Sequence, residues 1–228
     1  MSLLTKMPVE ISHTVRSKRK TLALIVKPDG SVIVRAPLRA SEKTIREFVQ
    51  NHSSWIQKKR AEFQAVVHPL PRQYVAGELF LYLGQEYPLE IVKRQKSPLL
   101  LEENFRLRES ARAHAARVFE RWYREQARHI LEERVNDYAR QYAFQYQKIG
   151  ITSARTRWGS CSATGSLNFS WRLIMAPIEA VDYVVVHELV HTIIHNHSKH
   201  FWKKVEEVMP DFRDRRLWLR KNGSQLVL

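Results

Sequence analysis

The chain has 228 residues, 44% of them hydrophobic and 27% charged, which is ordinary usage for a globular protein of one or two domains. That composition excludes a disordered tail and a collagen-like repeat, and a single cysteine, Cys161, excludes an internal disulfide framework. Thirty-eight Lys and Arg against 23 Asp and Glu leave a formal +15, a field that concentrates anions such as nucleic acid, nucleotides or acidic surfaces.

No apolar run approaches the ~18 to 20 residues that cross a bilayer, so no membrane partner is expected. The opening MSLLTKMPVEISH lacks the long apolar core and small-residue cleavage site of a signal peptide, and a cytoplasmic chain is expected. The basic residues are dispersed from Arg16-Ser17-Lys18-Arg19-Lys20 to Arg213-Asp214-Arg215-Arg216. Proximity to nucleic acid is therefore an expectation of charge alone, set against a merely well-solvated basic surface.

In chain order, Thr21 to Val26 reads as a strand, Pro28-Asp29-Gly30 as a turn and Ser31 to Arg35 as a second strand that Pro37 stops. Ser41 is placed to cap a helix that turns Ile45, Phe48, Val49, Trp55 and Ile56 inward. Val67 to Pro71, with two prolines, reads as a connector. Short strands follow at Glu78 to Leu83 and Tyr87 to Val92, joined through Leu83-Gly84-Gln85. From Glu109 the pattern becomes helical, with Ala115, Val118, Trp122, Leu131, Val135, Tyr138 and Tyr142 on an apolar stripe, as one long helix or two in tandem. Ile149 to Ile174 reads as strands joined by glycine turns. Pro177 opens an apolar helix over Ile178 to His195, and shorter helices follow at Lys199 to Val208 and Arg213 to Lys221. Strands and helices are segregated along the chain, which predicts an α+β fold. The division expected is a β-rich unit with one helix over residues 1–105 and a helical core over 106–228, or one integrated domain.

The chemistry concentrates in His187-Glu188-Leu189-Val190-His191. Histidines four apart on a helix project from one face, close enough to share a metal ion, and a glutamate beside the first can take the proton of an attacking water. A catalytic zinc needs a third protein ligand and an open position. On a continuous helix His195 lies ~12 Å along the axis from His187 and cannot share the ion. His197 follows Asn196, a residue that tolerates the left-handed backbone ending many helices, so a chain turning back there delivers His197. His200 is the alternative, but Ser198 is a good cap for a helix that would begin with it.

His187 to Trp202, HELVHTIIHNHSKHFW, resembles the HELxH…NHSxxFW signature of the YgjP-like metal-dependent hydrolases. Arg157 to Ser162, RWGSCS, matches their second signature, and Leu167-Asn168 the LN after it. With Ser17-Lys18-Arg19-Lys20 and the strands that follow, the resemblance covers nearly the whole chain. It implies a minimal zincin-like metallohydrolase core, related to the SprT-like and WLM metalloproteases. In its terms His187, His191 and His197 hold Zn2+ and Glu188 is the catalytic base. Members also carry a label as UTP pyrophosphatases.

Candidates to stabilise a developing oxyanion are Tyr183, Arg155, Arg157 and Asn168. The stretch from Arg155 to Ser162, with Trp158, Gly159 and Ser160, is expected by analogy with zincins to be the edge strand that pairs with an extended substrate. On a nucleotide, Arg155 and Arg157 become the phosphate contacts. Cys161 as a nucleophile is disfavoured, because no nucleophile turn or helix start surrounds it. Asp182 and Glu206 read as solvent-facing charge, with orienting a ligand histidine as the alternative.

Three functions remain: a zinc metallopeptidase, a metal-dependent nucleotide pyrophosphatase, and a basic nucleic-acid-binding module with a structural zinc. A closed structural site has no use for a glutamate beside the first ligand, which favours catalysis. The absence of a phosphate-cradling glycine-rich loop favours a peptide or protein substrate over a nucleotide.

Overall fold

The computed structural model describes residues 9–27, 29–64 and 71–228. Pro28 of the expected turn and most of the expected connector, residues 67–70, lie outside them. The chain divides into two units, Met1–His68 and Pro69–Leu228.

The first unit is a three-stranded sheet with two helices. Strands β1 (His13–Ser17), β2 (Ala23–Val26) and β3 (Val32–Pro37) lie in the order β1-β3-β2, with β1 parallel and β2 antiparallel to β3. Alternate residues of the central strand, Val32, Val34 and Ala36, are fully buried, the period-two pattern of a sheet with one covered face. Ser41 caps α1 (Glu42–Asn51) as expected, its hydroxyl accepting from the Thr44 N–H. The helix breaks at His52 and resumes as α2 (Ser53–Gln64). Ile45, Val49 and Ile56 enter the core as the spacing predicts, but Trp55 is 41% exposed. At about 100° per residue Trp55 falls roughly 100° from the centre of the face that Ile45, Val49 and Ile56 bury, so it lies at the edge of that face.

The second unit contains two small sheets packed around one long helix. Strands β4 (Leu79–Tyr82), β5 (Gln85–Val92), β6 (Leu99–Leu101) and β7 (Phe105–Arg108) run in the order β4-β5-β7-β6. The hairpin β6–β7, which turns through Glu102-Glu103-Asn104, is not among the strands expected from the sequence. A short 3-10 turn at Glu109–His114 leads into α3 (Ala115–Tyr142), a single 28-residue helix that stops where Ala143 takes a left-handed φ of 56°. Phe80, Phe105 and Phe119 stack in one cluster of fully buried rings. The division expected at 105/106 therefore runs through a shared core.

Strands β8 (Lys148–Thr152), β9 (Gly159–Cys161) and β10 (Ser166–Ser170) form the second sheet in the order β8-β10-β9, which leaves β9 on an edge. Three helices complete the unit: α4 (Ile178–Val190), α5 (Lys199–Val208) and α6 (Phe212–Asn222). The tip of the β4–β5 hairpin holds the approach to α4. Leu83 and Gly84 both have positive φ, as a two-residue hairpin turn requires, and their N–H groups donate to Ile174 O at 2.8 Å and Met175 O at 3.1 Å. A side chain at Gly84 would strike Pro177 at 2.7 Å, so the hairpin seats directly against the residue that opens α4. From Ala180 to Val190 every residue of α4 but His187 is buried, the all-round apolar character of a core helix. Asp182 is among them, 6% exposed, and neither faces solvent nor orients a histidine. Its two oxygens each accept from the Arg134 guanidinium of α3 at 2.7 Å. Among the described residues no helix is long and apolar enough to cross a membrane.

Candidate active site

The metal-binding pattern is built at the C-terminal end of α4. The helix ends at Val190, five residues before the sequence pattern suggested, and His191 is its capping residue. The β-branched run Thr192-Ile193-Ile194 then closes a tight turn, with Thr192 Oγ1 donating to Leu189 O at 2.7 Å and Ile194 N to Val190 O at 2.9 Å. Asn196 directs the return of the chain with its side chain, Oδ1 accepting from Ser198 N at 3.1 Å. It is not among the residues with left-handed backbone, so the expected mechanism is replaced by a side-chain turn. Ser198 caps α5 as predicted. His200 starts that helix and stays exposed.

The returning chain sets His197 Nε2 3.0 Å from His187 Nε2 and 3.2 Å from His191 Nε2. His191 Nδ1–H donates to Ile194 O at 3.0 Å, which leaves its Nε2 lone pair facing the other two rings. Burial pushes the His187 imidazolium pKa down to about 3, helped by His191, His197 and Arg216, and burial also lowers His191. Neutral imidazoles with converging lone pairs repel one another unless a proton or a cation lies between them. The donor set, three nitrogens within 4.8 Å of one another and no hard oxygen among them, fits a borderline-soft divalent ion. His187 Nδ1 is buried without a hydrogen-bond partner among the described residues.

Glu188 stands beside this triad, 5% exposed. Burial raises its carboxyl to about 7, and the nearby charge of Arg157 holds it back. Its position depends on Gly159 of β9: a Cβ there would lie 2.6 Å from Glu188 Cγ and from Oε1. Only a residue without a side chain lets the edge strand and the carboxylate approach this closely. Glu188, His187 and Gly159 are shared by two cavities. The larger, about 460 Å³, is walled by Arg157, Ser160, Cys161, Ala163, the other two histidines of the triad and His195, which lines it without joining the cluster of three. The smaller, about 340 Å³, is walled by Trp158, Tyr183, Val184, Leu219, Arg216 and Arg220.

Most of the residues singled out by sequence meet here; Asn168, Arg155 and Glu206 do not. Tyr183, one helical turn before His187, places its ring 5.8 Å from that imidazole, and burial raises its phenol to about 12. The Trp158 indole wedges against Gly223, whose Cβ would lie 2.8 Å from the ring. Asn168 lines a separate cavity of about 270 Å³ with Ser160 and Arg157 but neither Glu188 nor a histidine. Arg155 is exposed and has Arg172 as its electrostatic neighbour, so it is not brought to the triad. The strand expected over Arg155 to Ser162 contracts to Gly159–Cys161. Cys161 lines the larger cavity, with its thiol pKa raised by burial and by Glu188, the opposite of an activated nucleophile. Glu206 pairs with Arg213 at 2.7 Å on the surface. Arg216, Leu219 and Arg220 of α6 were missed, because nothing local in the sequence ties that helix to α4.

Three imidazoles with converging nitrogens beside a buried carboxylate, on one helix and its return turn, point to a class of protein, the metal-dependent hydrolases. A family model described as YgjP-like, metallopeptidase domain, matches residues 20–222, and the chain belongs to that family. Neither a comparison with curated proteins nor one with solved structures returned a match.

Proposed function

We propose that the protein is a zinc-dependent peptidase acting on extended polypeptide. The observation that carries this reading is the contact between Glu188 and an edge strand. Trp158 O accepts from Ser170 N, and Ser162 N donates to Ser166 O, while Ser160 lies opposite Asn168 in register. Backbone groups alternate sides along a strand, so Gly159 and Cys161 turn theirs away from β10, toward the open edge. A peptide pairing with that edge would pass its carbonyls beside Glu188, held by main-chain bonds that carry little sequence preference.

His187, His191 and His197 are the residues to hold the ion, and an imidazole-only donor set supports zinc. A zinc ion bound there supplies Lewis acidity, polarising a substrate oxygen and acidifying water. Glu188, with a carboxyl that titrates near neutrality, takes the proton of the attacking water and returns it to the departing amine. Tyr183, with its phenol raised to about 12, lines one of the two cavities that share Glu188 and Arg157 lines the other, which supports them as donors for the developing oxyanion. The reading sets the enzyme in the cytoplasm, where a free thiol such as Cys161 stays reduced.

The test is metal content together with hydrolysis by the wild type and by Glu188→Gln, each offered unfolded protein and UTP. About one zinc per chain in both, with unfolded protein cut by the wild type alone, is the expected result. Hydrolysis of UTP with unfolded protein untouched would replace the substrate class, and a protein that takes up no metal would overturn the reading.

A further inference from the structure

Helix α6 carries four arginines whose circumstances differ. Arg213 pairs with Glu206 at 2.7 Å and Arg215 with Asp211 at 2.8 Å. Arg216 and Arg220, one turn apart and so on a common face, both line the smaller cavity beside Glu188 and His187. Neither has a carboxylate within 4.0 Å among the described residues. Arg216 instead lies over the Trp202 ring, 4.6 Å from its centroid, and Trp202 in turn packs against His187 and His197. Arg213 and the half-buried Arg215 are thus paired, whereas Arg216 and Arg220, both solvent-exposed, line the cavity without a carboxylate partner among the described residues.

The rest of the wall is apolar. Trp158 and Leu219 line it together with the Tyr183 ring. A volume of about 340 Å³ falls at the small end of the range for ligand sites. Apolar walls with unpaired guanidinium groups at one end suit a group with a short aliphatic stem and a terminal carboxylate. Guanidinium planes bind carboxylates through paired, charge-assisted hydrogen bonds.

We propose that this cavity is a specificity subsite for a substrate carboxylate next to the scissile bond, read by Arg216 and Arg220. The proposal rests on the peptidase reading above, because Glu188 and Gly159 belong both to the cavity and to the reacting edge. Two carboxylates meet the requirement: the side chain of a substrate glutamate or aspartate, and the free C-terminus of a peptide ending just beyond the bond.

The experiment is equilibrium binding of fluorescent peptides to the zinc-loaded Glu188→Gln protein, followed by cleavage with the wild type. Matched peptides carry Glu or Gln beside the scissile position, each with a free or an amidated C-terminus, and UTP is added as a competitor. A carboxylate should bind at least about tenfold tighter than its neutral counterpart, the worth of one charge-assisted hydrogen bond. Arg220→Ala and Arg216→Ala, added to that protein, should each reduce the preference, and Arg213→Ala should leave it intact. Which carboxylate carries the preference separates side chain from C-terminus. Equal binding of all four peptides, or a preference that survives replacement of both Arg216 and Arg220, overturns the subsite. So does a cavity that binds UTP and no acidic peptide. Preferential binding without cleavage would leave the subsite standing and sink the peptidase reading, and cleavage without preference would do the reverse.

Discussion

Replacing Gly159 with alanine isolates the contact on which the placement of the base depends. Gly159 is not among the residues with positive φ, so alanine fits the strand backbone without strain, and the loss of unfolded-state freedom favours the folded protein by about 0.4–1 kcal/mol. The opposing effect is steric. The new methyl would start 2.6 Å from Glu188 Cγ and Oε1, whereas ordinary contact begins near 3.4 Å. The carboxylate must therefore withdraw by about 0.8 Å, in a site where a misplacement near 1 Å costs roughly a hundredfold in rate. Overpacking costs about 1–3 kcal/mol, so the net destabilisation stays within about 2–3 kcal/mol and the protein remains folded. The histidines are untouched, and metal content should stay at the wild-type level. The assay is kcat on unfolded protein, read beside metal content and melting temperature. The expected result is a fall in kcat of roughly two orders of magnitude with metal retained, and no further loss when Gly159→Ala is added to Glu188→Gln, since the strand contact acts only through that carboxylate. A wild-type kcat in the folded, metal-loaded alanine variant would refute the argument that β9 positions Glu188.

Three further outcomes are expected. His197→Ala should lose metal under dialysis that leaves the wild type loaded, while His195→Ala and His200→Ala keep it; if His195→Ala also loses its metal, the assignment of the triad is wrong. Because burial and the Glu188 carboxylate raise the Cys161 pKa, the thiolate is scarcer at pH 7 than in a free cysteine. Alkylation by iodoacetamide should accordingly lag behind that of a free thiol and speed up as pH rises, and Cys161→Ser should retain turnover. Asp182→Ala should destabilise the protein by about 2–3 kcal/mol in urea unfolding, below the usual cost of breaking a buried pair because Arg134 is partly exposed and can rehydrate. A change below 1 kcal/mol would mean that the pair contributes little beyond its desolvation cost.

The legible parts of this molecule are the ones encoded over short distances. The spacing of His187 and His191, the base beside the first of them and the cap at Ser198 are all read within two or three turns of chain. His197 joins the triad although the premise that set His195 aside, a helix running on to it, does not hold: α4 ends at Val190, His195 lines the larger cavity, and Asn196 acts through its side chain and not its backbone. The end of α4 was not legible, since Thr192, Ile193 and Ile194 continue the apolar pattern of the helix while their geometry closes it. Residues brought in from another element were invisible. Arg216 and Arg220 join the site only because Leu219 and Phe212 bury α6 in the core, and periodicity names a buried face without naming what it is buried against. Asp182 erred for the same reason, its partner Arg134 lying 48 residues away. Asn168 sits opposite Ser160 on the neighbouring strand yet lines a cavity that holds neither Glu188 nor a histidine, and Arg155 lines none of the three cavities around β9.

All three nitrogens of the triad come from an eleven-residue stretch, His187 to His197, whereas the glycine that fixes the base lies on a strand near residue 159. Gathering the nitrogens closes only a short loop, at little entropic cost, and can be completed once α4 and its return turn exist. Setting the carboxylate requires the second sheet to be docked on that helix as well. The nitrogens and the placed base thus depend on different amounts of structure: a chain with α4 and its return turn but without β9 docked would have the donor set and lack the positioned carboxylate.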